Sequence, residues 1–121
     1  MMTIALLEAF AAAWNAHDVD ALMSFMSEDC VFESSAGPDA CGTRYTGRDA
    51  VRASYAAVWQ AIPDARWNNP VHFISGDRGL SEWTFTGTSP NGSRIEVTGC
   101  DVFTFRGAKI VVKNSYRKQR T

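Results

Sequence analysis

The stretch Gly99-Cys100-Asp101-Val102-Phe103-Thr104-Phe105 reads as a β-strand, with a single carboxylate set among apolar, aromatic and β-branched residues. Side chains two apart on a strand point the same way, so Asp101 shares a face with Phe103 and Phe105. If that face is the inner one, the carboxylate sits in a dry aromatic place. There it needs a partner or a proton, and it becomes a candidate functional group. If the face is outward, Asp101 is an ordinary solvated strand acid.

Working outward from this strand, the second half of the chain keeps a period of two. Strands are expected over Arg66 to Ser75, Gly79 to Thr86, Arg94 to Arg106 and Lys109 to Arg117. Turns at Gly76-Asp77-Arg78, Ser89-Pro90-Asn91-Gly92 and Gly107-Ala108 separate them. Such short connections predict an antiparallel meander. In Ser81-Glu82-Trp83-Thr84-Phe85, Glu82 and Thr84 share one face and Trp83 and Phe85 the other. Both faces therefore need cover: one from a core with a partly polar pocket, the other from a second subunit.

The first half is helical. Ile4, Leu7, Ala11 and Trp14, widened by Phe10, recur at helical spacing up to Asn15-Ala16-His17. Asp18 is an N-cap for a short second helix with Val19, Leu22, Met23 and Met26 on its buried stripe, ending at Ser27-Glu28-Asp29. Cys30-Val31-Phe32-Glu33 reads as a strand and Ser34 to Thr46 as a long loop. A third helix opens at Thr46 or Gly47, buries Val51, Tyr55, Val58 and Ile62, and stops at Pro63. Helices first and strands afterwards make one α+β domain over residues 1–121.

Composition narrows the class. The formal net charge is −1 and no basic stripe stands out, which argues against a nucleic-acid partner; the run Arg117-Lys118-Gln119-Arg120 reads as a solvated tail. Three cysteines, Cys30, Cys41 and Cys100, form no close pair and no metal-ligand spacing, and two isolated histidines do not add one. An odd cysteine count without a leader sequence or membrane-length apolar run points to the cytoplasm. Four tryptophans and seven phenylalanines can build a core, a pocket wall or an interface.

Four segments, in order, resemble the nuclear transport factor 2-like superfamily, and within it the SnoaL-like and ketosteroid isomerase-like proteins. They are Trp14-Asn15-Ala16-His17-Asp18, Glu28-Asp29-Cys30-Val31-Phe32, Thr46-Gly47-Arg48-Asp49-Ala50-Val51 and Gly99 through Ile110. The resemblance implies a cone-shaped, curved, mixed or antiparallel sheet wrapped around three N-terminal helices, a cystatin-like α+β roll with a pocket at one end. It also implies a homodimer through the outer sheet face, as in many members. Members range from cyclases, isomerases and dehydratases to domains without chemistry, so fold alone does not decide activity. At the position of Asp101, ketosteroid isomerase-like members carry an acid that hydrogen-bonds a substrate oxyanion. The hydroxyl and general base of those isomerases would fall at Phe10 and near Ser34, which cannot supply them.

By the same rough alignment, Glu82, Thr84, Lys113 and Ser115 share the inner face with Asp101, while Asn114 and Tyr116 face away. A cation beside Asp101 would keep it ionised as a base; without one it would be pushed toward a protonated acid. Glu82 and Lys113 equally read as a cross-strand pair on a wet face. His72, between Val71 and Phe73, could aim into the cone, whereas His17 at a helix end completes the dipole. Trp14, Phe32, Tyr55 and Trp59 read as core residues that in a cone also form the pocket wall, with Ser34 and Phe103 beside them. Two functions follow. One is a cofactor-independent acid–base enzyme of isomerase, cyclase or dehydratase type, using Asp101, His72 and Glu82 on an apolar or aromatic, oxygenated small molecule. The other is a ligand-binding or accessory domain with the same pocket and no chemistry.

Overall fold

A computed structural model describes residues 1–121. Helices α1 (Ile4–Asn15), α2 (Val19–Ser24) and α3 (Arg48–Ala61) accompany strands β1 (Met26–Glu33), β2 (Arg44–Thr46), β3 (Arg66–Ser75), β4 (Arg78–Thr88), β5 (Arg94–Arg106) and β6 (Lys109–Arg117). The strands form one open, curved six-stranded sheet in the order β2-β1-β6-β5-β4-β3. The meander β3 to β6 is antiparallel as the turns require; β1 adds to β6 in parallel and β2 to β1 antiparallel. The fold is α+β with a mixed sheet, as expected. No helix is long and apolar enough to cross a membrane.

Local chemistry sets the helices. Thr3 caps α1 by accepting from the Leu6 amide, and Asp18 caps α2 by accepting from the Ala21 amide. The face of α1 carrying Leu7, Phe10, Ala13 and Trp14 is buried against the sheet, and α3 contributes Val51 and Tyr55.

Two boundaries differ from the sequence reading. The second helix stops at Ser24, and Met26 already belongs to β1, paired with Ile110. The carbonyls of Phe25 and Met26 are taken by the Ile110 amide and the Arg48 guanidinium, each at 2.8 Å, which draws the backbone out of the helix. Met26 is buried in either setting, so its apolar side chain carried no information about the period. The segment from Ser34 to Thr46 is not all loop. Its end forms β2, tied to β1 by an Arg44–Glu33 ion pair at 2.7 Å. Gly42 sits at φ 82° under the Ser34 carbonyl, where a Cβ would lie 2.0 Å from that oxygen, so only glycine fits.

Three irregularities interrupt the ladders. In β3 the ladder shifts between Asn68 and Val71, where Asn69 and Pro70 together oppose Trp83 and Asn69 takes φ 53°. Proline lacks the N–H a ladder needs, and an edge strand with a bulge tolerates it. In β6 the partners of Thr104 and Phe105 are Val112 and Ile110, leaving Val111 unpaired. A third shift lies in β1 between Met26 and Val31. The bulges in β3 and β6 reverse the in–out alternation of the residues beyond them, whereas in β1 Met26, Cys30 and Phe32 keep one parity and all stay buried.

Candidate active site

The inner face of the sheet carries a polar row that crosses four strands. His72 pairs with Ser81, Ser81 with Asp101, and Asp101 with Ser115. Asp101 is 5% exposed, so the inward alternative for this carboxylate holds. Three donors meet it. The Trp83 indole N–H donates to Oδ2 at 3.1 Å, the Ser115 hydroxyl donates to Oδ1 at 2.5 Å, and the Lys113 ammonium stands 3.3 Å from Oδ1. All three partners are donors, so both carboxyl oxygens serve as acceptors.

Lys113 is equally buried, at 5% exposure. Its Nζ donates to the Ser115 hydroxyl at 3.0 Å and lies 4.5 Å from the Phe32 ring centre, 4.9 Å from Trp14 and 5.4 Å from Tyr55. Burial pulls the lysine below its ordinary value and the nearby Arg117 charge adds to this; Asp101 opposes both without reversing the direction. An ammonium in a ring of aromatic faces is stabilised as a cation, yet it holds its proton less firmly than a lysine in water.

A cavity of about 280 Å³ opens onto this pair. Trp14, Phe32, Tyr45, Trp67 and Trp83 supply its aromatic wall, Ser34 to Ala36 its rim, and Asp101, Lys113, Ser115 and Arg117 its polar floor. A second, much smaller hollow of about 20 Å³ lies behind Asp101, lined by His72, Ser81, Phe10 and Phe103 among others. His72 Nδ1 is 2.6 Å from Ser81 Oγ, its Nε2 is buried without a partner, and burial lowers the histidine's pKa.

Of the residues singled out in the sequence, Asp101, Lys113, Trp14, Phe32 and Ser34 meet at the main cavity. The Ser34 hydroxyl is committed to the loop: it donates to the Ala36 carbonyl at 2.8 Å and accepts from the Thr43 amide at 3.2 Å. His72 and Phe103 border the small hollow instead. Tyr55 is fully buried beneath Lys113, its hydroxyl 3.6 Å from the Met26 sulfur, and burial raises its pKa well above the ordinary phenol value. Trp59 is off the cavity wall, stacked on His17 at 5.0 Å, and His17 bonds the Ala65 carbonyl through Nε2 at 2.9 Å.

Glu82 and Thr84 require correction. They pair with Cys100 and Thr98 and point to the convex side, because β4 has no bulge and its inward positions are Ser81, Trp83 and Phe85. Both line an open groove there, away from Asp101. Arg117 ends β6 where the expected strand placed it, but it is no part of a solvated tail: its side chain is partly buried on the inward face. It shares the parity of Lys113 and Ser115, a strand signal that the basic run around it obscured. No three His, Cys, Asp or Glu side chains gather in a metal-binding cluster.

The profile of the SnoaL-like domain family matches residues 7–113. Solved structures agree on the fold. A candidate polyketide cyclase from Pseudomonas putida superposes with a TM-score of 0.85 at 22% identity, covering 98% of this chain and 92% of that one. A hypothetical protein from Catenulispora acidiphila with a ketosteroid isomerase-like fold, in complex with trimethylamine, gives 0.82 at 22% identity over 95% and 86% of the two chains. TerC, co-crystallised with polyporic acid, gives 0.78 at 20% identity over 95% and 90%. No curated protein matches the sequence.

Proposed function

The chain belongs to the SnoaL-like domain family, and from that premise we propose that it is a cofactor-independent acid–base enzyme of isomerase, cyclase or dehydratase type, working beside a carbonyl of an apolar, oxygenated small molecule. The observation that carries this reading is the buried Asp101–Lys113 pair, 3.3 Å apart, at the floor of an aromatic cavity. Asp101 takes the proton from the carbon next to the carbonyl. Lys113, whose burial weakens its hold on its own proton, donates to the oxygen as negative charge builds there. Ser115 touches both groups and fixes their spacing. The aromatic wall keeps water from competing for either transfer. Two structural relatives were crystallised with small molecules, which supports a small-molecule site here.

A domain that binds without chemistry is the competing reading. It draws on the donors that already occupy both Asp101 oxygens, Trp83 on one and Ser115 on the other. Deuterium exchange into the α-carbon of 2-tetralone, followed by NMR, separates the two. Acid–base chemistry requires exchange above the buffer rate, falling by about 10²-fold or more in Asp101→Asn and Lys113→Met. Tight binding of the ketone with no acceleration by the wild-type protein would overturn the enzyme and leave the binding domain.

The convex face also exposes Val71, Phe73 and Tyr116, each about half accessible. Apolar side chains gathered on a sheet face call for cover, and a second copy of the chain is the cover proposed here.

A further inference from the structure

The charged side chains on the floor of the main cavity do not balance. Asp101 and Lys113 satisfy one another and share Ser115. Arg117, on the same wall, has neither an ion pair nor a hydrogen bond to the protein, and its Nε is buried without a partner. Its guanidinium carbon lies 4.0 Å from the centre of the Phe85 ring, a contact that seats the cation over the ring but satisfies none of its N–H donors. Asp101 is the only carboxylate on the cavity wall, and Lys113 already claims it. The position is also structurally defined. Arg117 pairs with Gly99, and the Trp83 ring lies so close over that glycine that a Cβ there would come within 2.7 Å of it. Trp83 and Arg117 therefore flank one end of the hollow, an aromatic plane beside an unmet planar donor.

We propose that Arg117 is an anion-binding subsite, and that the cavity takes its ligand by an acidic group: a carboxylate, enolate or phenolate attached to an aromatic or alicyclic body. A guanidinium presents its N–H groups as a fork that matches two acceptor oxygens, and such charge-assisted bonds strengthen away from bulk water. The apolar wall accommodates the rest of the ligand. The subsite orients the molecule: with its acid on Arg117, the remaining ligand extends across the floor toward Lys113 and Asp101. Arg117 also borders the convex groove with Glu82 and Lys118, so the test must report on the cavity itself. The proposal rests on the reading of this cavity as the substrate site.

Three tryptophans, Trp14, Trp67 and Trp83, line the cavity, so their fluorescence reports its occupancy. Titrations with 2-naphthoate and its uncharged isostere 2-naphthamide, confirmed by calorimetry and by competition with 2-tetralone, isolate the contribution of the acid. The wild-type protein should bind the naphthoate about tenfold or more tighter than the amide, as a charge-assisted fork requires. Arg117→Gln should bring the naphthoate down to the level of the amide and leave the amide unchanged; Arg117→Lys should keep part of the preference. Equal wild-type affinity for the two probes overturns the subsite without any variant and leaves the cavity reading intact. Preference surviving in Arg117→Gln also overturns it. Failure of both probes to bind the wild-type protein overturns the subsite and the cavity reading together.

Discussion

Lys113 and Asp101 are nearly inaccessible to water, so their pairing should dominate the response to mutation at either position. Lys113→Met leaves the carboxylate with only Trp83 and Ser115 as donors. Asp101→Asn leaves the ammonium with Ser115 and three ring faces. Breaking one side of a buried pair costs about 3–5 kcal/mol, and because each stranded charge keeps those neighbours, the low end, about 3 kcal/mol, applies to each. Independent sites would then sum to about 6 kcal/mol in the double variant. The double variant strands neither charge of the pair, and its amide oxygen still accepts from Trp83, so it should cost only about 1–2 kcal/mol, a coupling of about 4 kcal/mol. Urea unfolding of all four proteins, with slopes compared, measures this directly. The pH response follows from the same pair. In Asp101→Asn the lysine loses the neighbour that raises its pKa, so it is lowered further in the folded state. As pH rises toward the lysine's ordinary value, the folded state has already released a proton that the unfolded chain still holds, and that variant gains stability. Additivity of the two single losses within about 0.5 kcal/mol would refute the buried pairing.

Other consequences are separable. Gly99→Ala forces a Cβ to within 2.3 Å of the Tyr116 carbonyl and 2.7 Å of the Trp83 ring, and should cost about 1–3 kcal/mol in a thermal melt. His72 is lowered from 6.5 by burial, so its contribution is complete above that value and lost as pH falls through the lower folded value. A His72→Gln variant should accordingly show a flatter urea midpoint across that range. Glu82→Gln, on the convex side, should leave tetralone exchange unchanged. Phe73→Glu, which charges an exposed ring of that face, should turn a sedimenting dimer into a monomer.

The elements themselves were legible because each advertises its period. Asp18 capped its helix as expected, the turns fixed the meander, and Asn114 and Tyr116 face away as the alternation required. Helix α2 was overrun because the apolar residue at Met26 satisfies both a helical stripe and a strand core. Trp59 was drawn into the pocket because helical spacing reports burial without reporting what the buried face meets. Its ring packs on His17, at a junction where His17 itself takes φ 55°.

The site was only half legible, and strand parity explains which half. Trp67 and His72 are five residues apart, an odd interval that should place them on opposite faces; the Asn69–Pro70 bulge brings both inward. Ile110 and Lys113 are three apart, and the unpaired Val111 does the same for them. Bulges on β3 and β6 thus assemble the polar row and its lysine, and a sequence read at a strict period of two cannot foresee either. Where no bulge intervenes, the sequence did hold the answer. In β4 the aromatic pair Trp83 and Phe85 marks the buried face, which excludes Glu82 and admits Ser81. In β6 the parity of Lys113 carries unbroken to Arg117. In β4 aromatic phase is therefore the better guide to facing than the position of a charge. Along β6, parity counted from the buried Lys113 brings a second cation to the floor of the cavity, where one carboxylate cannot answer both.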